Sequence, residues 1–181
     1  MNRRRMLNAL KSPDEFGQYA DEAVLPEDTD PQVYLSHNRL PQPFHLLCEK
    51  DSVISQLSGT VDVYLHDSSV NRFRVTVGDH VYIPAGTPHR IVPREPGVTL
   101  RYMALEAGLL GAAWYCASCG GELRRYEWEH DNAVAPARFY AAACARFNAD
   151  KAARTCESCA TVHEEIDLDA YAWTELAAAE G

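Results

Sequence analysis

Between Gln32 and about Leu105 the chain alternates apolar and polar residues with a period of two. Val61, Val63 and Leu65 alternate with Asp62, Tyr64 and His66, and Phe73, Val75 and Val77 alternate with Arg72, Arg74 and Thr76. This alternation predicts strands with one buried face, joined by a hairpin loop over Asp67-Ser68-Ser69-Val70-Asn71. Val81-Tyr82-Ile83, His89 to Val92 and Val98 to Met103 add short strands punctuated by Gly and Pro. Many short strands with no helix between them predict an antiparallel sandwich or barrel. Elsewhere the period lengthens. Phe139, Tyr140, Ala143 and Phe147 share a face of a helix predicted over 136–147, with Pro136 near its start. Residues 1–25 read as partly helical through Met6, Leu7 and Leu10 and then Phe16, Tyr19, Ala20 and Ala23. There Ser12-Pro13-Asp14-Glu15 resembles a cap with proline in the first turn. Residues 26–31 read as a loop. The acidic segment 164–181 carries Tyr171 and Trp173, which leaves it to dock back or fray.

The 181 residues fit one domain with a small appendage, and 46% hydrophobic against 24% charged residues is an ordinary globular balance. A formal charge of -9 argues against a sequence-independent nucleic-acid binder, which would need a basic face. Arg3-Arg4-Arg5 is a short terminal cluster that reads as a solvated tail. No apolar run approaches the ~20 residues that span a bilayer, and no signal-peptide core is visible, so a soluble cytoplasmic protein is expected.

Six cysteines change the picture. Cys116-Ala-Ser-Cys119 and Cys156-Glu-Ser-Cys159 form two Cys-x-x-Cys pairs. Without an export signal such pairs read as a metal site before they read as disulfides. Each turn places two thiolates on one side of a tight loop, and two facing turns make a tetrahedral sulfur cage for zinc or iron. Four protein ligands leave no open position, so the site is expected to be structural. Of the remaining two, Cys144 sits in the Ala-rich helical stretch and reads as a small buried hydrophobe.

The segment from Gly78 to His89 has Gly78, Pro84, Gly86 and His89 at the spacing of the second cupin motif, which it resembles. Phe44-His45-Leu46 and Gln56-Leu57-Ser58-Gly59 look like the first. With Trp114-Tyr115-Cys116 to Gly120 and Arg154-Thr155-Cys156 to Cys159, the stretch from Gln32 to Cys159 is similar to the 3-hydroxyanthranilate 3,4-dioxygenase family in its bacterial form. That resemblance implies a mainly β fold: a cupin double-stranded β-helix (jelly-roll) barrel, a small C-terminal rubredoxin-like metal subdomain built on the four paired cysteines, and a few helices. The divisions are an N-terminal segment 1–31, a barrel 32–110 and a C-terminal segment 111–181. It further implies Fe(II) in the barrel, held by two His and one Glu, a small aromatic substrate, O2, and a homodimer as one option. The implied His ligands are His45 and His89.

The third ligand departs from the pattern. Six residues after His45 stands Asp51, while counting back from Gly59 gives Ser52, and no Glu occupies either place. Strand alternation ranks Asp51 first and Glu49 second, with Cys48 and His37 behind them. An inserted residue implies a bulge that flips the faces beyond it. For a substrate carboxylate the candidates are Arg39, Arg90, Arg94 and Arg101, the last standing where the family has a Glu. A bidentate Arg fork suits a carboxylate. Three readings stay open: an Fe(II)-dependent ring-cleaving dioxygenase for a 3-hydroxyanthranilate-like substrate, a divergent cupin enzyme with another reaction, or a non-catalytic metal- or ligand-binding cupin.

Overall fold

The computed structural model describes residues 8–10 and 18–178. The expected N-terminal cap at Ser12–Glu15, the Arg3–Arg5 cluster and most of the expected first helix lie outside the described residues. What is described there corrects the expectation of helix up to residue 25. Glu22–Ala23 form a short strand, β1, paired with Leu35 and Tyr34.

The remaining strands are β2 (Gln32–Asn38), β3 (His45–Cys48), β4 (Ser52–Gln56), β5 (Thr60–Leu65), β6 (Arg72–Val75), β7 (His80–Ile83), β8 (His89–Glu95), β9 (Gly97–Met103), β10 (Leu109–Tyr115) and β11 (Glu122–Glu129). Two helices follow, α1 (Pro136–Ala149) and α2 (Thr174–Ala178). One antiparallel sheet runs β1-β2-β9-β4-β7 and the other β11-β10-β3-β8-β5-β6. From β2 to β9 each sheet takes four strands, in the order 2-9-4-7 and 3-8-5-6, and that interleaving is the double-stranded β-helix. Strands β10 and β11 then extend the second sheet, so the expected boundary at 110/111 falls inside a strand.

Strand alternation does what the pattern predicts on β5, β7 and β8, but of the alternating set Phe73, Val75 and Val77 only Val75 is buried, and Phe73 and Val77 are exposed. Val61, Val63, Leu65, Ile54, Val81, Ile83 and Ile91 point between the sheets and form one apolar cluster. Gly59 closes the β4–β5 turn at φ 69, where a Cβ would lie 2.4 Å from the Pro96 carbonyl oxygen. A side chain is excluded there on both counts. The second cluster is aromatic. Helix α1 turns Ala137, Tyr140, Ala141, Cys144 and Phe147 inward, and Phe147 stacks on Trp114 at 4.2 Å. Phe44, Tyr19 and Trp173 complete that packing. The acidic C-terminal segment docks rather than frays. Tyr171 and Trp173 are buried, and the Tyr171 hydroxyl donates to the Pro41 carbonyl at 2.6 Å. No helix among the described residues is long and apolar enough to cross a membrane.

On the outer face of β5, Asp62 is buried under Arg72, Arg74 and Arg94 at 3.0, 2.7 and 2.5 Å. Burial alone would raise its pKa, but the Arg74 and Arg94 hydrogen bonds and the Arg72 charge outweigh it and hold the carboxyl at about 2. A folded-state value below the unfolded one stabilises the protein above the unfolded pKa of about 4, and this is lost as pH falls towards 2. Asp62→Asn is therefore expected to cost about 1 kcal/mol at pH 7, the arginines being solvent-screened, and nothing near pH 2. Urea midpoints of both proteins at the two pH values measure this. An equal difference at both would contradict it.

Candidate functional site

Strand pairing fixes which side chains enter the barrel. Leu46 on β3 and Leu65 on β5 are both register partners of His89 on β8, so these three share the inner face. Adjacent strand residues face opposite ways. His45 therefore lies on the outer face, half-buried, with its ring 4.9 Å from Tyr115 and 5.9 Å from His66. Burial, then the Arg90 and His66 charges, push its pKa down to about 3, so it is neutral at physiological pH. The expectation that His45 and His89 converge is corrected: Leu46 stands beside His89 instead.

The expected carboxylates are elsewhere as well. Asp51 precedes β4, exposed, and accepts a hydrogen bond from the Ala85 N–H at 2.8 Å. Glu49 is exposed and accepts from the Leu109 N–H at 2.8 Å. The first inward residue of β4 is Ser52, paired with Ile83 and Met103 and 1% exposed. Of the four candidate arginines, Arg39 is exposed, Arg94 binds Asp62, and Arg90 donates to the Gln42 carbonyl at 2.6 Å on the outer face. Cys48 is buried with its thiol pushed up to about 11, chiefly by burial, and His37 is buried on β2. Neither belongs to a cluster of three or more possible metal ligands among the described residues.

Only Arg101 enters the barrel. It lies on β9 between Tyr34 and Ile54, and is 2% exposed. Its Nη1 is 2.5 Å from His89 Nε2, and its Nε is 3.6 Å from Asp21 Oδ2. Asp21 is also buried and accepts hydrogen bonds from Tyr140 at 2.7 Å and Tyr19 at 3.3 Å. His89 Nδ1 is 3.1 Å from the Thr87 carbonyl oxygen. A guanidinium only donates, so Nε2 must be the accepting nitrogen and Nδ1 must carry the proton donated to Thr87. Burial first, and then the Arg101 charge, hold the His89 pKa well below its ordinary value. Burial by itself would lower the Arg101 pKa, but Asp21 outweighs it and raises it.

These residues do not fit a barrel Fe(II). The lone pair of Nε2 that would bind a metal already accepts from a cation, the second imidazole faces out, and among the described residues His89 belongs to no cluster of three or more possible metal ligands. Asp21, absent from the sequence-based candidates, is the missed residue. It precedes a two-residue strand in a segment read as helix, and no local pattern marks it.

The four knuckle cysteines are brought together. Cys116 and Cys159 sulfurs lie 3.5 Å apart, Cys119 and Cys156 3.5 Å, and Cys119 and Cys159 3.8 Å. All four ligand atoms fall within 4.8 Å of one another. Tetrahedral coordination at a metal–sulfur distance of ~2.3 Å requires sulfurs about 3.8 Å apart, so the set fits an ion bound by four thiolates. The two turns repeat one geometry. Gly120 and Ala160 donate their N–H to the carbonyls of Cys116 and Cys156, each at 2.9 Å, and both have positive φ. Backbone amides of Cys119 and Ser118 aimed at the Cys116 sulfur pull that thiol down to about 6.

No family model matches the chain. A 3-hydroxyanthranilate 3,4-dioxygenase of Brucella anthropi is 32% identical over 117 residues, covering 60% of this chain. The chain spans 61% of that relative's length. Solved structures are more remote. A Klebsiella pneumoniae protein with a double-stranded β-helix domain is 18% identical, TM-score 0.48, covering 61% of this chain and 98% of its own. A hydroquinone 1,2-dioxygenase from a Sphingomonas species is 14% identical, TM-score 0.45, covering 52% and 71%. By its strand order the chain is a double-stranded β-helix barrel with a four-cysteine knuckle, similar in sequence to a 3-hydroxyanthranilate 3,4-dioxygenase, with Arg101 set against its inward His89.

Proposed function

We propose that the chain is a ligand-binding cupin that has kept the barrel-and-knuckle plan of its dioxygenase relative without the barrel iron. The observation that carries this is the 2.5 Å contact between Arg101 and His89 Nε2. The ligand class is a small aromatic acid. That choice takes its aromatic character from the relative's named substrate, 3-hydroxyanthranilate. Its carboxylate follows from Arg101, whose buried Nη2 donates no hydrogen bond while Nε faces Asp21. A buried guanidinium with spare donors recruits an acceptor, and a carboxylate matches its fork. The four cysteines hold one structural zinc or iron ion. A cytoplasmic setting, where thiolates stay reduced, suits that site.

The 32% identity to a dioxygenase favours a second reading: Fe(II) in the barrel and O2-dependent cleavage of a 3-hydroxyanthranilate-like ring. One experiment separates the two. The purified protein is incubated anaerobically with ferrous salt, desalted, analysed for metal, and then mixed with 3-hydroxyanthranilate in air in an oxygen electrode. The first reading predicts one metal per chain, no oxygen uptake, and a melting temperature raised by 3-hydroxyanthranilate or anthranilate. Two metals per chain with oxygen uptake would replace it with the second. Absence of any thermal shift with either acid would remove the ligand-binding part of the first.

A further inference from the structure

The geometry points to a displaced metal position inside the barrel, formed by residues 46, 52 and 89, in which the Arg101 guanidinium stands in for the cation. This rests on the metal-free reading of the barrel, but ligand binding plays no part in its test.

The placement follows from register. A facial metal site needs three inward side chains converging from neighbouring strands. His89 supplies one, through Nε2. Its register partner on β3 is Leu46, and directly opposed side chains in an antiparallel pair have Cβ atoms about 5 Å apart. The β3–β4 turn, Glu49 to Asp51, carries the chain from one sheet to the other, and the first residue to face inward again is Ser52. Leu46 and Cys48 on β3 share one buried cluster with Met103 on β9, the register partner of Ser52, which ties β3, β4 and β9 to the same region of the interior. Arg101 reaches across from the opposite sheet to His89. A six-residue step separates 46 from 52, just as it separates His45 from Asp51, but the first pair faces in where the second does not. A one-residue slip in a strand transfers every side chain to the other face.

The chemistry at these positions explains why a cation is still needed there. Asp21 is a buried carboxylate with two tyrosine hydroxyls donating to it. An uncompensated buried charge is strongly unfavourable, so some positive charge must sit within its reach. With Leu at 46 and Ser at 52, those two positions offer neither a second imidazole nor a carboxylate, and Arg101 supplies the charge that Asp21 needs covalently.

The test is a metal count under excess cobalt(II) chloride, read by elemental analysis and by visible absorption of the bound ion. Wild type is expected to hold one cobalt per chain, at the cysteines. The triple variant Leu46→His, Ser52→Glu, Arg101→Gln is expected to hold two. Adding His89→Ala should return it to one, and adding His45→Ala should leave it at two. A folded triple variant, checked by circular dichroism, that holds only one cobalt would overturn the proposal. So would loss of the second ion on adding His45→Ala. If the triple variant does not fold, the single variants decide. Wild type, His45→Ala and His89→Ala are each expected to hold one cobalt. A second ion in wild type that disappears with either histidine would overturn the assignment.

Discussion

Arg101→Met is expected to destabilise the protein by about 3–5 kcal/mol, because it leaves Asp21 as a buried charge without a partner. For a chain of this size that is a fall of roughly 10 °C in Tm. The same substitution frees His89 Nε2 in an apolar interior, which adds the cost of an unsatisfied acceptor. The double variant Arg101→Met, Asp21→Leu should recover most of the loss. Removing both members of a buried ion pair is commonly near neutral, while removing one is not. Thermal melts of the wild type, both single variants and the double variant form a cycle. Additive single effects would contradict the pairing, since coupled neighbours deviate from additivity by about 0.5–3 kcal/mol.

Metal removal from the knuckle is the second large effect. Cys116→Ser or Cys159→Ser should abolish binding of the cysteine-held ion and unfold the C-terminal half. Apparent binding energies of structural zinc are on the order of 10 kcal/mol, and the bound ion is itself much of what folds such a unit. The cage joins two turns separated by residues 120–155, which include β11 and α1. Helix α1 contributes Phe147, stacked on Trp114, and Tyr140, bonded to Asp21. Loss of the cage should therefore reach the barrel interior, seen as a red shift of tryptophan emission and a broad, low-temperature melt. A verified metal-free variant with the melting curve of wild type would contradict a folding role for the ion.

Much of this architecture was legible in the residue pattern. The strands at 61–65, 72–75, 81–83 and 98–103 were visible because period-two alternation needs only local information. The helix over Pro136–Ala149 was visible because its proline and its spaced aromatics are local too. The cysteine cage was legible because ligand spacing within each turn is short. The barrel interior was not. Whether 45 or 46 faces in depends on a single residue of register between β3 and β8, fixed by pairing across 43 positions of chain, Leu46 with His89. Counting forward from His45 and back from Gly59 disagreed by one residue, and that disagreement was the signal of the slip. The role of Arg101 was equally hidden, because its partner Asp21 lies 80 residues earlier. Strand β10 carries little local signal, since Gly111-Ala112-Ala113 has little alternation, and on β11 Leu123, Tyr126 and Trp128 pack against the aromatic cluster.

Arg101, rather than a metal, is proposed to meet His89 inside the barrel. Crystals grown with excess ferrous salt under anaerobic conditions, measured on both sides of the iron and zinc absorption edges, test it directly. One anomalous peak is expected among Cys116, Cys119, Cys156 and Cys159, with guanidinium density against His89 Nε2. An anomalous peak bound to that nitrogen, with Arg101 turned away, would contradict it.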